Sequence, residues 1–474
     1  MKKYDYDLVV IGGGAAGVAG AMMAVANNKR VALIEKEIIG GKNTVGNFFA
    51  QLTASKISQL LNLAREGASF GLNSDNLKVN LPSMYSEIQE KTEQYVRNKK
   101  KELLEAKIEL IHGTARFISP VEVAVNDQTI TAKKFLIATG ASLNTREIAG
   151  INETGFLNTS EIYLNLRRVP KVTLVVGAGQ AGAEAAEFLA NLGGSVILVD
   201  LADRILPRED PEVGKLIEKK FAQKKIKILT QTRVVGLEND GAAKLPTGRK
   251  MNIIRASLLR AEQKKAVRVE CVVLATGQQS EVDLALENAN VKYTKSGILV
   301  SNQMQTSSKN IFAAGGAAMI RDEKKIFHDD FSSYEKDSYE GALAVSMALN
   351  GRSKTIVDHR GYMRITNTYP KIASIGLTED QCVASGLKCR VAITDLSDRT
   401  AAWSSNSMEG FVKIICNREK KIIGATVVAP EADVLAQEIS LAMRNGLSVV
   451  DLAATPHVGM SLSEAVRVTA RELL

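Results

Sequence analysis

Two glycine clusters hold the residues whose spacing points most directly to chemistry. Gly12-Gly13-Gly14-Ala15-Ala16-Gly17 has the form G-x-G-x-x-G, and Gly177-Ala178-Gly179-Gln180-Ala181-Gly182 repeats it. In such a run the first glycine makes a tight strand-to-helix turn, the second lets a pyrophosphate approach the backbone, and the third lets the helix pack close to the strand. The helix start then offers free N–H groups and a positive dipole end to phosphate. Glu35 and Asp200 each lie 23 residues beyond the first glycine of their copy (35 − 12 and 200 − 177). An acid there accepts hydrogen bonds from a ribose. One such run is weak evidence, whereas two with the acid at equal spacing indicate two dinucleotide sites in one chain. Electron transfer between two dinucleotide cofactors is the chemistry this suggests. Asp200, where a basic pair would select a 2′-phosphate, favours NAD over NADP, and Arg204 nearby argues the other way.

The elements around these residues follow from apolar periodicity. Leu8–Ile11 and Val31–Ile34 read as buried strands flanking a helix over Val18–Ala26. Leu174–Val176 and Val196–Val199 repeat that arrangement around a helix over Ala183–Leu192. Each half has a later strand ending in Ala-Thr-Gly. Phe135–Ala138 runs into Thr139-Gly140, and Val272–Ala275 into Thr276-Gly277, a second backbone approach to each cofactor. Further on, strand-like runs Val412–Ile415 and Ile422–Val428 precede an apolar helix over Ala432–Asn445, and Pro82–Lys107 reads as a long polar helix.

The 474 residues suffice for two to four domains, and 45% hydrophobic with 24% charged residues is the composition of a folded globular chain. No run of about 18 apolar residues occurs, so a transmembrane helix is not expected. The opening MKKYDYDLVVIGGG lacks the form of a signal peptide, and the expected location is the cytoplasm. The net charge is +9, and the basic clusters Arg97–Lys101 and Lys219–Lys227 read as solvated helix faces. With no zinc-finger spacing or RNA-binding aromatic motif, nucleic acid is not an expected partner. The four cysteines are Cys271, Cys382, Cys389 and Cys416. No cysteine or histidine pair completes a metal site around Cys382 and Cys389, and a disulfide framework is not expected in a cytosolic chain. All four read as small buried hydrophobes.

Taken together, these motifs resemble those of the two-dinucleotide flavoprotein disulfide reductases over nearly the whole chain. The first glycine motif with Glu35 is similar to the FAD-binding one, and the second, with Glu184 just after it, to the NAD one. Asp200–Pro207 resembles the stretch after the NAD ribose acid in dihydrolipoamide dehydrogenases. Asn310–Gly315 resembles the third FAD segment, Tyr369–Glu379 and Gly410–Lys413 the dimerisation domain, and Ser461–Ala465 the closing motif. The resemblance implies an α/β fold with two Rossmann-like dinucleotide-binding domains, for FAD and NAD, plus a C-terminal α+β dimerisation domain. FAD is expected on residues 1–150 and 280–350, NAD(P) on 151–279, and homodimer contacts on 351–474. It implies FAD contacts at Gly12, Gly14, Ala15, Ala16, Gly17, Glu35, Lys36, Gly41, Ala115, Ala138, Thr139, Gly140, Gly315 and Gly316. It implies NAD contacts at Gly177, Gly179, Gln180, Ala181, Gly182, Glu184, Asp200 and Gly277.

The departures from the family pattern matter as much. The family passes electrons through a G-G-x-C-x-x-x-x-C pair. Here the corresponding stretch, Gly40–Phe49, holds no cysteine and is one residue shorter. Asn47 falls at the flavin-proximal cysteine, and Lys42 or Asn43 near the other. Asn forms neither a thiolate nor a mixed disulfide, so dithiol chemistry by the family route is not expected. The family's closing His-x-His-Pro-Thr-x-Ser-Glu is His457-Val-Gly459-Met-Ser-Leu-Ser-Glu464 here, with glycine at the catalytic histidine. His457 could substitute as the acid/base, with Glu464 to orient it, or serve the interface. The third FAD segment ends in Gly315-Gly316 where the family has Gly-Asp, removing a ribityl hydrogen bond of about 1–3 kcal/mol.

These features suggest an FAD-dependent NAD(P)H oxidoreductase that sends electrons from flavin to a quinone, metal ion or protein redox centre without dithiol chemistry. Its cavity would be lined by Asn47, Phe48 and Phe49 with Gly459–Ser461 of the partner subunit. Lys42 there could stabilise an anionic reduced flavin or be a loop lysine in solvent. The alternatives are an activity like the soluble pyridine nucleotide transhydrogenase, or a degenerate dinucleotide-binding subunit or sensor. Dihydrolipoamide activity is expected to be absent.

Overall fold

The structure is a computed structural model describing residues 4–73, 77–145, 148–166, 168–244, 250–320, 333–350, 355–404 and 408–474, without the side chains of 46, 47, 243, 244, 250 and 251. It divides into two compact units, one of residues 1–50, 86–144 and 278–359, the other of 51–85, 145–277 and 360–474.

In the first unit the strands Glu109–His112, Val31–Glu35, Tyr6–Ile11 and Gln128–Ile137 lie side by side and parallel, with Ile311–Ala313 added beyond. Leu8, Val9 and Val10 are fully buried, which suits a parallel strand covered on both faces. The hairpin Ala115–Ser119 and Glu122–Val125 continues the sheet antiparallel to Gln128–Ile137. The first glycine helix runs Ala15–Ala26, three residues longer at its start than its apolar pattern predicts. The extra turn is Ala15-Ala16-Gly17, which carries little apolar signal. The helix Tyr334–Leu349 packs directly on it. A Cβ on Gly341 would overlap the Ala16 carbonyl oxygen, so only glycine permits this approach.

In the second unit the parallel sheet repeats in the order Ile226–Leu229, Ser195–Val199, Val172–Val176, Cys271–Leu274, Leu157–Asn158, with the second glycine helix over Gln180–Asn191. A three-stranded antiparallel sheet, Arg233–Lys244, Lys250–Arg260 and Gln263–Val269, is an element that the sequence reading leaves out. Its outer strand, Gln263–Val269, is mostly exposed and polar, so no buried face announces it. The C-terminal part is a five-stranded antiparallel sheet in the order Met363–Thr366, Lys371–Gly376, Ile422–Ala429, Phe411–Asn417, Cys389–Asp395, with the helix Ala432–Arg444 across it. Among the described residues no helix is long and apolar enough to cross a membrane.

The cysteine reading needs correction, because Cys382 and Cys389 form a disulfide. Cys382 sits in the short helix Glu379–Ala384 and Cys389 opens a strand. Gly386, at φ +67°, turns the chain back between them and brings their Cα atoms to 6.8 Å. Cys271 and Cys416 remain free. Thiol titration of denatured, unreduced protein should therefore find two thiols per chain, rising to four after reduction; four before reduction would refute the pairing.

The C-terminal sheet also buries a full cation. The Lys413 ammonium lies 3.0 Å from Asp210, 3.2 Å from Glu212 and 2.7 Å from Glu379, with its side chain fully buried. Burial alone would lower its pKa, and the three carboxylates instead hold it above the ordinary lysine value. Lys413→Ala strands the buried Asp210 carboxylate and should cost about 3–5 kcal/mol, read by urea unfolding at neutral pH. A change under about 1 kcal/mol would show the pair to be dispensable.

Candidate functional site

The two glycine turns are built alike. Gly12 and Gly177 have φ of +106° and +104°, conformations open to glycine. A Cβ on Gly17 would fall 1.9 Å from the Gly12 carbonyl oxygen, and one on Gly182 would fall 1.8 Å from that of Gly177. The Gly12 N–H donates to Ile34 and the Gly177 N–H to Val199, both at 2.8 Å. Ala138 and Ala275 each donate back to the glycine-turn strand, to Ile11 and Val176, also at 2.8 Å.

The acids at the strand ends hold these turns. Glu35 accepts from the Gly13 N–H through Oε2 at 2.6 Å and from the Glu37 N–H through Oε1 at 2.7 Å. Asp200 accepts from the Ala178 N–H through Oδ2 and from the Ala202 N–H through Oδ1 at 2.8 Å. Each carboxylate thus ties the second residue of its glycine run to the residue two beyond itself. An ionised carboxyl has about four acceptor positions. Two remain on each acid for a vicinal diol such as a ribose.

Around Glu35 lies an open cleft, whose lining includes Gly12, Lys36, Ala115, Thr139 and Glu281. Lys36 pairs with Glu281 at 3.7 Å across the mouth of this cleft, and the Thr139 hydroxyl donates to the Glu281 carbonyl at 2.6 Å. Gly140, at φ +72°, has nothing within 4 Å of a would-be Cβ. Gly14 meets only the Gly41 Cα at 3.9 Å, and Gly41, at φ +81°, is pressed against Gly14 from the other side. A glycine trough beside a helix N-terminus with an acid at its end fits the ADP half of a dinucleotide. The buried Gly315 N–H donates at 2.9 Å to Glu340, whose carboxylate pairs with His359 at 2.8 Å and Lys336 at 3.6 Å. Burial would raise the Glu340 pKa, but His359, Lys336 and the Gly315 N–H hold it below the usual carboxylate value.

The second trough is similar. Gly179 and Gly277 have nothing within 4 Å of a would-be Cβ, and Gln180 and Ala181 open the helix with exposed positions. Arg204 is held by Asp380 at 3.1 Å. Glu184 is buried further along the helix. It accepts from the Gln51 side chain and from the Asn367 N–H at 2.5 Å. Burial pushes its carboxyl up to about 7, against the lowering pull of the Asn367 N–H. Gln51 was not legible as a partner, since only the fold brings residue 51 to residue 184.

Where the resemblance places the redox loop, Asn43–Phe49 forms a π-helical turn leading into the helix Ala50–Glu66. The Asn43 carboxamide donates to the Ala141 carbonyl at 3.3 Å and accepts from Gln278 at 3.1 Å. Asn47 falls within this turn, and its side chain lies outside the described residues. Lys42 is exposed and pairs with Glu37 at 3.5 Å. Gly316 meets Ala141 at 3.4 Å from a would-be Cβ.

At the C-terminus His457 and Glu464 are not paired with one another. His457 bonds the Thr455 carbonyl through Nδ1 at 2.9 Å and Glu438 through Nε2 at 2.8 Å. Glu464 pairs with Arg467 at 2.8 Å. Glu438, in the helix Ala432–Arg444, had no signal in the sequence beyond its being an acid. Gly459 has open space around a would-be Cβ.

Comparison with known proteins agrees with this architecture. Residues 6–341 match the pyridine nucleotide-disulphide oxidoreductase family model, and residues 362–470 match the family's dimerisation domain. The chain therefore belongs to the pyridine nucleotide-disulphide oxidoreductase family. It is 30% identical over 470 residues to a mercuric reductase of Staphylococcus aureus, covering 98% of this chain and 82% of the relative. It is 29% identical over 473 residues to a dihydrolipoyl dehydrogenase of Chlorobaculum parvum, covering 98% and 96%. The crystal structure of LpdA from Mycobacterium tuberculosis matches with a TM-score of 0.85 at 24% identity, covering 98% of this chain and 99% of that one, a likeness of fold.

Glu184 supplies a measurable prediction. Its folded-state carboxyl titrates near 7, above the ordinary 4.5. The group therefore favours the folded state below about pH 4.5, and this contribution is lost as pH rises toward 7. Glu184→Gln should flatten the fall in unfolding midpoint between pH 5 and 7 and raise the midpoint at pH 8. An unchanged pH profile would rule out a buried, neutralised Glu184.

Proposed function

We propose that this chain is a homodimeric, cytoplasmic, FAD-dependent NAD(P)H oxidoreductase that delivers electrons from flavin to an acceptor other than a disulfide. FAD would use residues 1–150 and 280–350, the nicotinamide dinucleotide 151–279, and the partner subunit 351–474. The observation that carries this reading is the pairing of two intact glycine cradles with a sulfur-free Gly40–Phe49 segment.

When bound, FAD supplies two-electron and one-electron chemistry and the nicotinamide dinucleotide supplies the reducing equivalents. The chain's own residues supply the rest. Glu35 and Asp200 fix each ribose by the acceptor positions their loop bonds leave open. The helix starts at Ala15 and Gln180 turn N–H groups toward the phosphates. NAD is favoured over NADP because Asp200 would repel a 2′-phosphate while Arg204 is engaged by Asp380. Asn43 fixes the turn before Asn47 through Ala141 and Gln278, with no ionisable group of its own. The free cysteines do not offer a substitute relay, since burial pushes the Cys271 thiol up to about 12 and raises that of Cys416 too. Gly459, in the place of a catalytic histidine, carries no proton donor and leaves room for an acceptor. Mercuric reductases among the relatives put metal ions beside quinones and protein redox centres in the acceptor screen. The missing thiols remove the ligands a soft metal would prefer.

Anaerobic NADH titration of purified protein should bleach a flavin absorbance, and a variant lacking all four cysteines should bleach equally. Dihydrolipoamide turnover should be negligible. A colourless protein, or one inert to both nicotinamides, would favour a degenerate subunit. Reoxidation by NADP⁺ alone would favour a transhydrogenase. Robust dihydrolipoamide turnover would overturn the reading.

A further inference from the structure

The helix Gln180–Asn191 buries a carboxylate that the proposed function leaves without a role. Glu184 is only 4% exposed. The bonds it accepts come from amides. They are the Gln51 side chain, the Asn367 N–H at 2.5 Å, the Asn367 carboxamide at 3.3 Å and the Gln180 carboxamide. Amides satisfy the lone pairs of a carboxylate but do not neutralise its charge, as a cation in the same place would.

The charged and titratable groups on the elements around it are engaged elsewhere. Glu187, one turn along the same helix, adds like charge and is itself paired with Lys224. In the strand Met363–Thr366, Arg364 pairs with Glu209 at 3.3 Å. In the helix Ala50–Glu66, Arg65 donates to Asn191 at 2.8 Å, and Glu66 accepts from the Tyr369 hydroxyl. The helix Thr159–Leu164 brings Tyr163, whose phenol burial keeps neutral, and Glu161, which accepts from the Asn158 N–H at its own cap. Lys56 and Lys227 are exposed. Burial therefore sets the balance at Glu184, and its carboxyl titrates near 7.

Glu184 also stands one helical turn from the second glycine cradle. Gln180 opens the helix, and four residues of rise are about 6 Å. Helical side chains lean back toward the N-terminus, and the bond from the Gln180 carboxamide shows that this one does. The N–H groups and positive pole of that helix start are the ones the dinucleotide reading assigns to a pyrophosphate. The empty pole favours an ionised Glu184. A pyrophosphate brings negative charge to it, and like charge at this range disfavours the ionised carboxyl.

We propose that Glu184 takes up a proton from solvent when a dinucleotide settles in the second cradle, and returns it when the dinucleotide leaves. This rests on the nicotinamide-dinucleotide reading of that cradle. The proton passes from water to a carboxylate oxygen of Glu184, and no bond of the ligand changes. A group that is protonated more readily in the complex than in the free protein makes binding tighter as pH falls. Affinity is therefore greatest below about pH 7 and declines above it.

The test is calorimetric titration of purified full-length protein with ADP-ribose between pH 6 and 8.5, repeated near pH 7 in two buffers of different ionisation enthalpy. This probe carries the adenosine and pyrophosphate of the dinucleotide without the nicotinamide, so no electrons move. The parent chain should take up about 0.2–0.5 proton per site near pH 7 and bind about 3–10-fold more tightly at pH 6 than at pH 8.5. Glu184→Gln should lose both effects. Gln51→Lys keeps the acid but sets a cation against it, and should lose the proton uptake by holding Glu184 ionised. Circular dichroism spectra serve as the fold control. Binding by the parent without proton exchange, or uptake that persists in folded Glu184→Gln or Gln51→Lys, would overturn the proposal. A parent chain that binds no ADP-ribose at any pH would instead overturn the dinucleotide reading of the second cradle.

Discussion

A carboxylate bonded to the backbone of its own glycine turn is the constraint on which each dinucleotide cradle depends. Glycine-rich turns have much conformational freedom to lose, and left alone they would be loose. Glu35 and Asp200 remove that freedom by bridging N–H groups on two separate turns, Gly13 with Glu37 and Ala178 with Ala202. One interaction therefore shapes both turns in the same way, which suits acid and glycine standing at one spacing in both copies. The third glycine completes the arrangement. The carbonyl of the first sits where any side chain on Gly17 or Gly182 would have to be.

Such features separate holding a dinucleotide from using it. The cradle is backbone, and its fit is a matter of small residues, φ angles and two acids. The family's electron relay is side-chain chemistry, requiring thiols at one place and an imidazole at another. In this chain both glycine turns are built alike. In the Gly40–Phe49 segment Lys42 is exposed and pairs with Glu37, and Asn43 is bonded to Ala141 and Gln278. His457 has both ring nitrogens engaged, by Thr455 and Glu438. The sulfur that the chain does pair, Cys382 with Cys389, belongs to the C-terminal sheet and its short helix.

Much of the fold was legible because its signals are local. The runs around residues 8, 31, 174 and 196 are apolar throughout, as parallel strands buried on both faces must be, and the glycines mark their ends. Both glycine helices begin earlier than the apolar pattern indicates, at Ala15 and Gln180, because their first turns, Ala15-Ala16-Gly17 and Gln180-Ala181-Gly182, carry little apolar signal. The Arg233–Val269 sheet carried no such continuous apolar run, since its outer strand is mostly exposed and polar. The long-range pairs were out of reach for another reason. Gln51 with Glu184, His457 with Glu438 and Cys382 with Cys389 depend on how elements pack or turn, and no spacing rule encodes them. Residue types gave the candidates, and only the fold chose among them.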